Sequence, residues 1–267
     1  MTAAETRVQI LEERDGRRVD IFERNAESSG YKKADRGPAA KSYLVCFEER
    51  SGSTMLCSLL GQTDVMGKPD EFFNPRGPMQ MYLVRSQARD IAEYYGYLHN
   101  ALTTANGVFG MKTTFADLGP LLAGDALASL LGEPRYVYLT RSDIVRQAVS
   151  SALARKRSLW HAYAGRDAPP PADEGLEVDM PLVTGIIERI REQRRSWEEF
   201  FGVRQLTPLR ITYEDTTADY AATLRAVARL VGVDLADEQI PAASQTLQLA
   251  NETNETWVAA IRARIDA

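Results

Sequence analysis

The 267-residue chain lacks the features of several protein classes. It has no run of about 18 apolar residues, so no membrane span is predicted. It also has no excess of positive charge. The 32 lysines and arginines and 37 aspartates and glutamates give a net charge of −5, which disfavours a general nucleic-acid or anionic-membrane binder. With 44% hydrophobic residues, the chain has the composition of an ordinary globular protein and is long enough for one large α/β domain.

Cysteine and histidine are scarce. Cys46 and Cys57 do not form a Cys-x-x-Cys pair, and we expect two reduced cysteines in the core. His99 and His161 are distant in sequence, so no histidine metal site is predicted. The first 25 residues are charged throughout and lack the apolar centre of a signal peptide, which predicts a cytoplasmic protein.

The pattern of the chain changes near residue 40. Residues 1–40 are expected to form a partly flexible extension, with a hairpin around Asp15-Gly16 and a polar linker after it. Residues 41–267 are expected to form the main domain. Four short apolar runs in it predict buried strands: "SYLVCF", "GVFGMK", "RYVYLT" and "PLRITY". Helical patterns separate these runs. This alternation predicts a three-layer α/β/α fold with a central parallel sheet.

The turn between the first apolar run and its helix reads Arg50-Ser51-Gly52-Ser53-Thr54. A helix N-terminus exposes unpaired N–H groups and carries partial positive charge, which favours a bound phosphate or sulfate. The alternative is a plain serine or threonine cap. The turn is P-loop-like, but the second glycine and the lysine of the nucleotide-triphosphate loop are missing.

This turn, in "YLVCFEERSGSTMLCSLL", and the later block "GKPDEFFNP" resemble the bacterial trehalose 2-sulfotransferase family. Weaker similarity continues in "GVFGMK", "RSDIVRQAVS", "ITYED" and "NETWVAAIRAR", so the resemblance spans about residues 42 to 264. It implies the sulfotransferase fold and a sulfuryl donor, 3′-phosphoadenosine 5′-phosphosulfate (PAPS), with 3′-phosphoadenosine 5′-phosphate (PAP) as product. No metal cofactor is expected.

The resemblance also implies roles for the donor-binding residues. Arg50, Ser51, Gly52, Ser53 and Thr54 would hold the 5′-phosphosulfate, with Arg50 also stabilising charge in the transition state. The 3′-phosphate is assigned to Arg141 and Ser150, although these two are one residue further apart than the commonest spacing. Tyr213 would contact the adenine. The alternatives are a surface salt bridge for Arg141 and core packing for Tyr213.

The Glu-Phe-Phe block implies the catalytic base. By resemblance, Glu71 deprotonates the acceptor hydroxyl, and Phe72 and Phe73 are expected to shield its carboxylate from water. The alternative is a surface glutamate before a core anchor. Lys112, at the end of its strand, would approach the sulfuryl group, unless it is only a strand-end lysine.

The acceptor is the least determined feature. Relatives that act on trehalose carry a tryptophan and an asparagine where this chain has Thr113-Thr114-Phe115-Ala116, so trehalose is in doubt. We expect a hydroxyl of a carbohydrate or glycolipid, no nucleic-acid partner, and leave open a homodimer and whether His99 or His161 lines the acceptor site. Two other functions remain: a magnesium-dependent kinase, disfavoured by the missing loop lysine, and an inactive nucleotide-binding module.

Overall fold

The computed structural model describes residues 11–14, 17–28, 39–122, 130–160, 176–246 and 249–265. Two short strands come first, β1 (Leu11–Arg14) and β2 (Arg17–Asp20), and four strands of a second sheet follow, β3 (Lys41–Phe47), β4 (Val108–Thr114), β5 (Arg135–Thr140) and β6 (Leu209–Thr212). The α-helices are α1 (Ser53–Gln62), α2 (Pro78–Ser86), α3 (Ile91–Leu102), α4 (Phe115–Leu122), α5 (Ile144–Arg157), α6 (Met180–Val203), α7 (Tyr213–Ala218), α8 (Tyr220–Val231) and α9 (Glu252–Ile265).

The four later strands form a parallel sheet in the order β4-β3-β5-β6. Each of the four predicted apolar runs forms one of these strands, which confirms the α/β fold class. The side chains of β3 alternate between the faces: Tyr43, Val45 and Phe47 join one hydrophobic cluster, and Leu44 and Cys46 join another. Such alternation with both faces buried explains why the run is apolar throughout.

Helices cover both faces of the sheet. Helices α1 and α8 pack on the face of Val45, and α8 ends at Gly232, whose φ of 73° lies in the left-handed region. Helices α3 and α4 and the aromatic end of α6 pack on the other face through residues such as Trp197 and Phe201. A third cluster joins α5, the first half of α6 and α9. These layers are the predicted three-layer arrangement.

Part of the described N-terminal segment packs against the main domain. Strands β1 and β2 pair antiparallel with Arg14 opposite Arg17, as the hairpin prediction requires, while Asp15-Gly16 itself lies outside the described residues. The segment Ile21–Asn25 forms a 3₁₀ helix, and the side chains of Ile21 and Phe22 are buried in the core. The domain boundary at residue 40 stays a prediction, and most of the linker, residues 29–38, lies outside the described part.

The parallel sheet determines where the site forms. Because all four strands run the same way, their carboxyl ends meet at one edge, where ligands bind in open α/β sheets. The turn after β3, the end of β4, the turn after β5 and the start of α7 therefore lie together. In the part of the chain that the structure describes, no helix is long and apolar enough to cross a membrane.

Candidate active site

The first anion loop (residues 48–54) joins β3 to α1. Gly52 is the N-cap of α1, and no side chain caps the helix, so the plain serine or threonine cap is absent. The N–H groups of the first turn have no partners within the helix. Ser51 is fully buried, and its Oγ has no hydrogen-bond partner among the described residues. The loop therefore presents unpaired donors, as an anion site requires.

Gly52 is required by its backbone and by its neighbour. Its φ of 87° lies in the left-handed region, and a Cβ added to it would lie 2.5 Å from Cδ2 of Tyr213. The ring of Tyr213 is thus packed directly against the turn. Only a glycine allows this approach.

We predict that Gly52→Ala lowers the free energy of unfolding by about 2–4 kcal/mol, because backbone strain and overpacking add. Gly132→Ala is the matched control: its φ is 64°, but nothing lies within 4 Å of the added Cβ. Its free energy of unfolding should fall by only about 1–2 kcal/mol, because backbone strain is the sole cost. Equal losses in chemical denaturation would contradict a steric role for Tyr213.

The second anion loop (residues 141–143) joins β5 to α5. The guanidinium of Arg141 lies 4.5 Å from the ring centroid of Tyr213, and its buried Nε has no hydrogen-bond partner in the described residues. Burial lowers the pKa of Arg141. Asp143 caps α5, since its carboxylate accepts from the N–H of Arg146 at 3.0 Å. A half-buried guanidinium with a buried, unsatisfied Nε is unlike a surface salt bridge and fits an anionic ligand.

Arg50 joins the first anion loop to α5 and to the residue Trp160 after it. Its Nε donates to Ser150 Oγ at 3.0 Å, and its guanidinium also donates to the carbonyl of Trp160. Burial, and then the charge of Arg141, lower the pKa of Arg50 to about 10. Two cations held close together at a helix N-terminus make a site that a phosphate or sulfate would stabilise.

Lys112, near the end of β4, lies beside Glu71. Lys112 Nζ lies 3.1 Å from Glu71 Oε1 and donates to Thr54 Oγ1 at 3.2 Å. Asn74 Nδ2 donates to the other oxygen of Glu71 at 2.8 Å. Burial lowers the pKa of Lys112, but the charges of Glu71, Cys57 and Asp70, together with the hydrogen bond to Glu71, outweigh it, and the net shift is upward. The ammonium is thus charged and lies between the first anion loop and the carboxylate.

Phe72 and Phe73 do not shield Glu71 in the way the sequence suggested. Both rings are buried in the core, where the ring centroids of Phe73 and Tyr94 lie 5.7 Å apart in an edge-on contact. The side chain of Glu71, in contrast, is 24% exposed to solvent. The two phenylalanines instead anchor the loop from beneath. The carboxylate is positioned by its ion pair with Lys112 and its hydrogen bond from Asn74.

A cavity of about 1180 Å³ collects these groups. All of the predicted site residues except the buried Ser51 line it: Arg50, Gly52, Ser53, Thr54, Glu71, Lys112, Arg141, Ser150 and Tyr213. A second cavity of about 840 Å³ shares Thr54, Asp70 and Lys112 with the first. The two cavities therefore meet beside the Lys112 and Glu71 pair.

Sequence reasoning missed several lining residues. Asn74 and Arg76 follow the Phe-Phe pair directly, and their polar, turn-rich setting was the available signal. Asp117, in the first turn of α4, also lines the cavity, accepts from Thr114 Oγ1 at 2.7 Å, and has its pKa raised by burial.

His99 does not lie in the site. The Nδ1 of His99 accepts from the N–H of Ala39 at 3.2 Å, its ring packs on Phe109, and it lines neither cavity. His161 lies outside the described residues. Over the residues with described positions, no group of three or more His, Cys, Asp or Glu side chains is arranged to hold a metal ion.

Comparison with known proteins matches this architecture. The family model of the Stf0 sulphotransferases matches residues 42–264. The trehalose 2-sulfotransferase of Mycobacterium tuberculosis (strain ATCC 35801 / TMC 107 / Erdman) is 25% identical over 263 residues, covering 84% of this chain and 96% of that protein. The trehalose 2-sulfotransferase of Mycolicibacterium smegmatis (strain ATCC 700084 / mc(2)155) is 26% identical over 232 residues, covering 72% and 85%.

Among solved structures, the sulfotransferase domain from the curacin biosynthetic pathway is similar over 77% of each chain, with a TM-score of 0.49 and 18% identity. The family match includes the four strands of the parallel sheet and both anion loops, and it confirms the resemblance read from the motifs.

Proposed function

Because the chain belongs to the Stf0 sulphotransferase family and is a sulfotransferase, we propose that its donor is PAPS and its acceptor a hydroxyl of a carbohydrate or glycolipid. The observation that carries this proposal is one cavity lined by two anion loops and a Glu71–Lys112 pair. Two anion sites suit a donor that is charged at both its 5′ and its 3′ positions.

The residues present fit such a donor. The uncapped first turn of α1 offers N–H groups for the 5′-phosphosulfate, and Arg50 adds a charged donor beside them. The buried Nε of Arg141, which has no hydrogen-bond partner among the residues that the structure describes, offers a donor for the 3′-phosphate. Tyr213 has Arg141 at its ring and Gly52 packed against its edge, so its contact with adenine is the least supported of these roles.

PAPS, when bound, supplies an activated sulfuryl group and a phosphate leaving group. Glu71 accepts the proton of the acceptor hydroxyl, since Lys112 and Asn74 fix the orientation of its carboxylate. Lys112, together with Arg50 and the N–H groups of α1, stabilises negative charge that develops during transfer. Thr54 holds the ammonium of Lys112 on the side of the first anion loop.

The acceptor side of the cavity is polar. Asn74, Arg76 and Asp117 line it near Glu71, and they can exchange hydrogen bonds with neighbouring hydroxyls of a sugar. Thr113-Thr114-Phe115-Ala116 contributes no amide, and the ring of Phe115 packs edge-on against Trp197 in the core. We therefore propose a polyhydroxyl acceptor that differs from trehalose, and the second cavity offers room for the remainder of a larger one.

The proposed function has a direct test. We expect calorimetric titration to show PAP binding about 10- to 100-fold tighter than ATP with magnesium, since the 3′-phosphate adds charged hydrogen bonds. We also expect sulfuryl transfer to persist in EDTA. Tighter binding of ATP with magnesium, together with a strict metal requirement, would support the kinase instead. Binding of PAP without turnover on any sugar acceptor would support an inactive module.

A further inference from the structure

One carboxylate at the sheet edge has no place in the cavity. Glu48 follows β3 directly, is fully buried and does not line the site. The hydroxyl of Tyr138 donates to its Oε1 at 2.7 Å, and Arg194 Nε lies 3.4 Å from its Oε2. Burial raises the pKa of Glu48, against the lowering effects of Tyr138 and Arg194. Burying a carboxylate costs free energy unless a cation compensates it, and Arg194 is the cation beside Glu48.

Arg194, in the middle of α6, reaches both anion loops without lining the cavity. Its NH2 donates to the carbonyl of Arg141 at 2.6 Å and to Gln147 Oε1 at 3.0 Å. Gln147 is fully buried and donates in turn to the carbonyl of Glu49 at 2.8 Å. One guanidinium therefore connects the backbone before Arg50 with the backbone of Arg141.

We propose that Arg194 is a positioning residue that fixes the separation of the two anion loops, and so selects a nucleotide phosphorylated at both the 5′ and 3′ positions. This inference rests on the proposed donor. The two phosphates of PAP are joined through one ribose, so their sites must keep one spacing. A ligand with a single phosphate uses one loop at a time and is insensitive to that spacing.

Arginine suits this task and lysine does not. One nitrogen of the rigid guanidinium fork donates to Gln147 and to the Arg141 carbonyl, and another forms the ion pair with Glu48, whereas an ammonium is a point charge on a flexible stem. Replacement of Arg194 by lysine keeps the positive charge beside Glu48 but loses the fixed geometry. It thereby separates positioning from simple charge compensation.

The test is calorimetric titration of Arg194→Lys with PAP and with adenosine 5′-monophosphate (AMP), which lacks the 3′-phosphate. We expect PAP affinity to fall at least about tenfold and AMP affinity to change less than about twofold. Arg195→Lys is the matched control, since Arg195 is exposed on the same helix. Binding of both nucleotides should be unchanged in that variant.

A second variant protects the test against misfolding. Glu48→Gln keeps the shape of the side chain and the hydrogen bond from Tyr138, but removes the ion pair that orients Arg194, so the same PAP-selective loss is expected. Equal weakening of PAP and AMP, or no change in either, overturns the inference. Failure of the unaltered protein to bind PAP is a different result, because it contradicts the proposed donor and the inference together.

Discussion

Glu71→Gln is expected to lower turnover by about 10²- to 10⁴-fold, the usual contribution of general acid–base catalysis, while PAP affinity stays unchanged. The amide keeps the shape of the side chain and can still accept a hydrogen bond at one oxygen, but it cannot take a proton. It also loses the ion pair with Lys112. The measurement is PAP release from PAPS with the best acceptor from a panel of sugars, beside calorimetry with PAP.

Two further variants serve as the comparison and the control in this experiment. Asp70→Asn alters the carboxylate of the adjacent residue. Oδ1 of Asp70 accepts from the N–H of Glu71 at 2.8 Å, and the backbone carbonyl of Asp70 accepts from the N–H of Lys112. A larger loss in Asp70→Asn than in Glu71→Gln would transfer the role of base to Asp70. Glu198→Gln, on the exposed face of α6 and paired with Arg210, should leave turnover unchanged.

The strands were predictable because each is encoded locally. A strand buried on both faces must be apolar throughout, so β3 and β5 are visible as short runs in the sequence. The helical pattern before the fourth run was recognisable for a similar reason, since helical spacing places Ile186, Ile190 and Trp197 on one side of α6. The packing of Ile21 and Phe22 against the domain was not predictable, because nothing in the local pattern indicates which distant surface they cover.

Residues of the candidate site could be named from the sequence only where each belongs to a short contiguous motif. The turn from Arg50 to Thr54 is such a motif. The contacts that organise the site join residues far apart in sequence: Arg50 and Ser150 are 100 positions apart, and Lys112 and Thr54 are 58 apart. Glu48 and Arg194 carry no motif at all, and a glutamate before a surface turn and an arginine on a charged helix look solvated until the fold brings them together.

The same limit explains the error over Phe72 and Phe73. Two aromatic residues after a glutamate suggested a desolvated base, because the sequence shows adjacency and not direction. In the fold, the rings point into the core and the carboxylate points toward Lys112. The role of Glu71 as base therefore rests on the orientation that Lys112 and Asn74 give its carboxylate, and not on removal of water.

Arg141→Ala is expected to weaken PAP binding by about 2–5 kcal/mol, which is the cost of removing one partner of a buried charged pair. Adenosine 5′-phosphosulfate lacks the 3′-phosphate, so its affinity should fall much less. Arg141 also stacks on Tyr213, and this stacking supports the first anion loop through Gly52. A small loss for adenosine 5′-phosphosulfate is therefore expected as well.

Two comparisons separate these effects of Arg141. Tyr213→Leu removes the stacking partner and keeps the cation, so it should weaken both nucleotides similarly. Arg135→Ala, at the exposed start of β5, the strand that precedes Arg141, should weaken neither. If Arg141→Ala weakened PAP and adenosine 5′-phosphosulfate equally, the 3′-phosphate would have to bind elsewhere in the cavity. Arg155 and Arg189, which both pair with Glu49, would then be the cations to test.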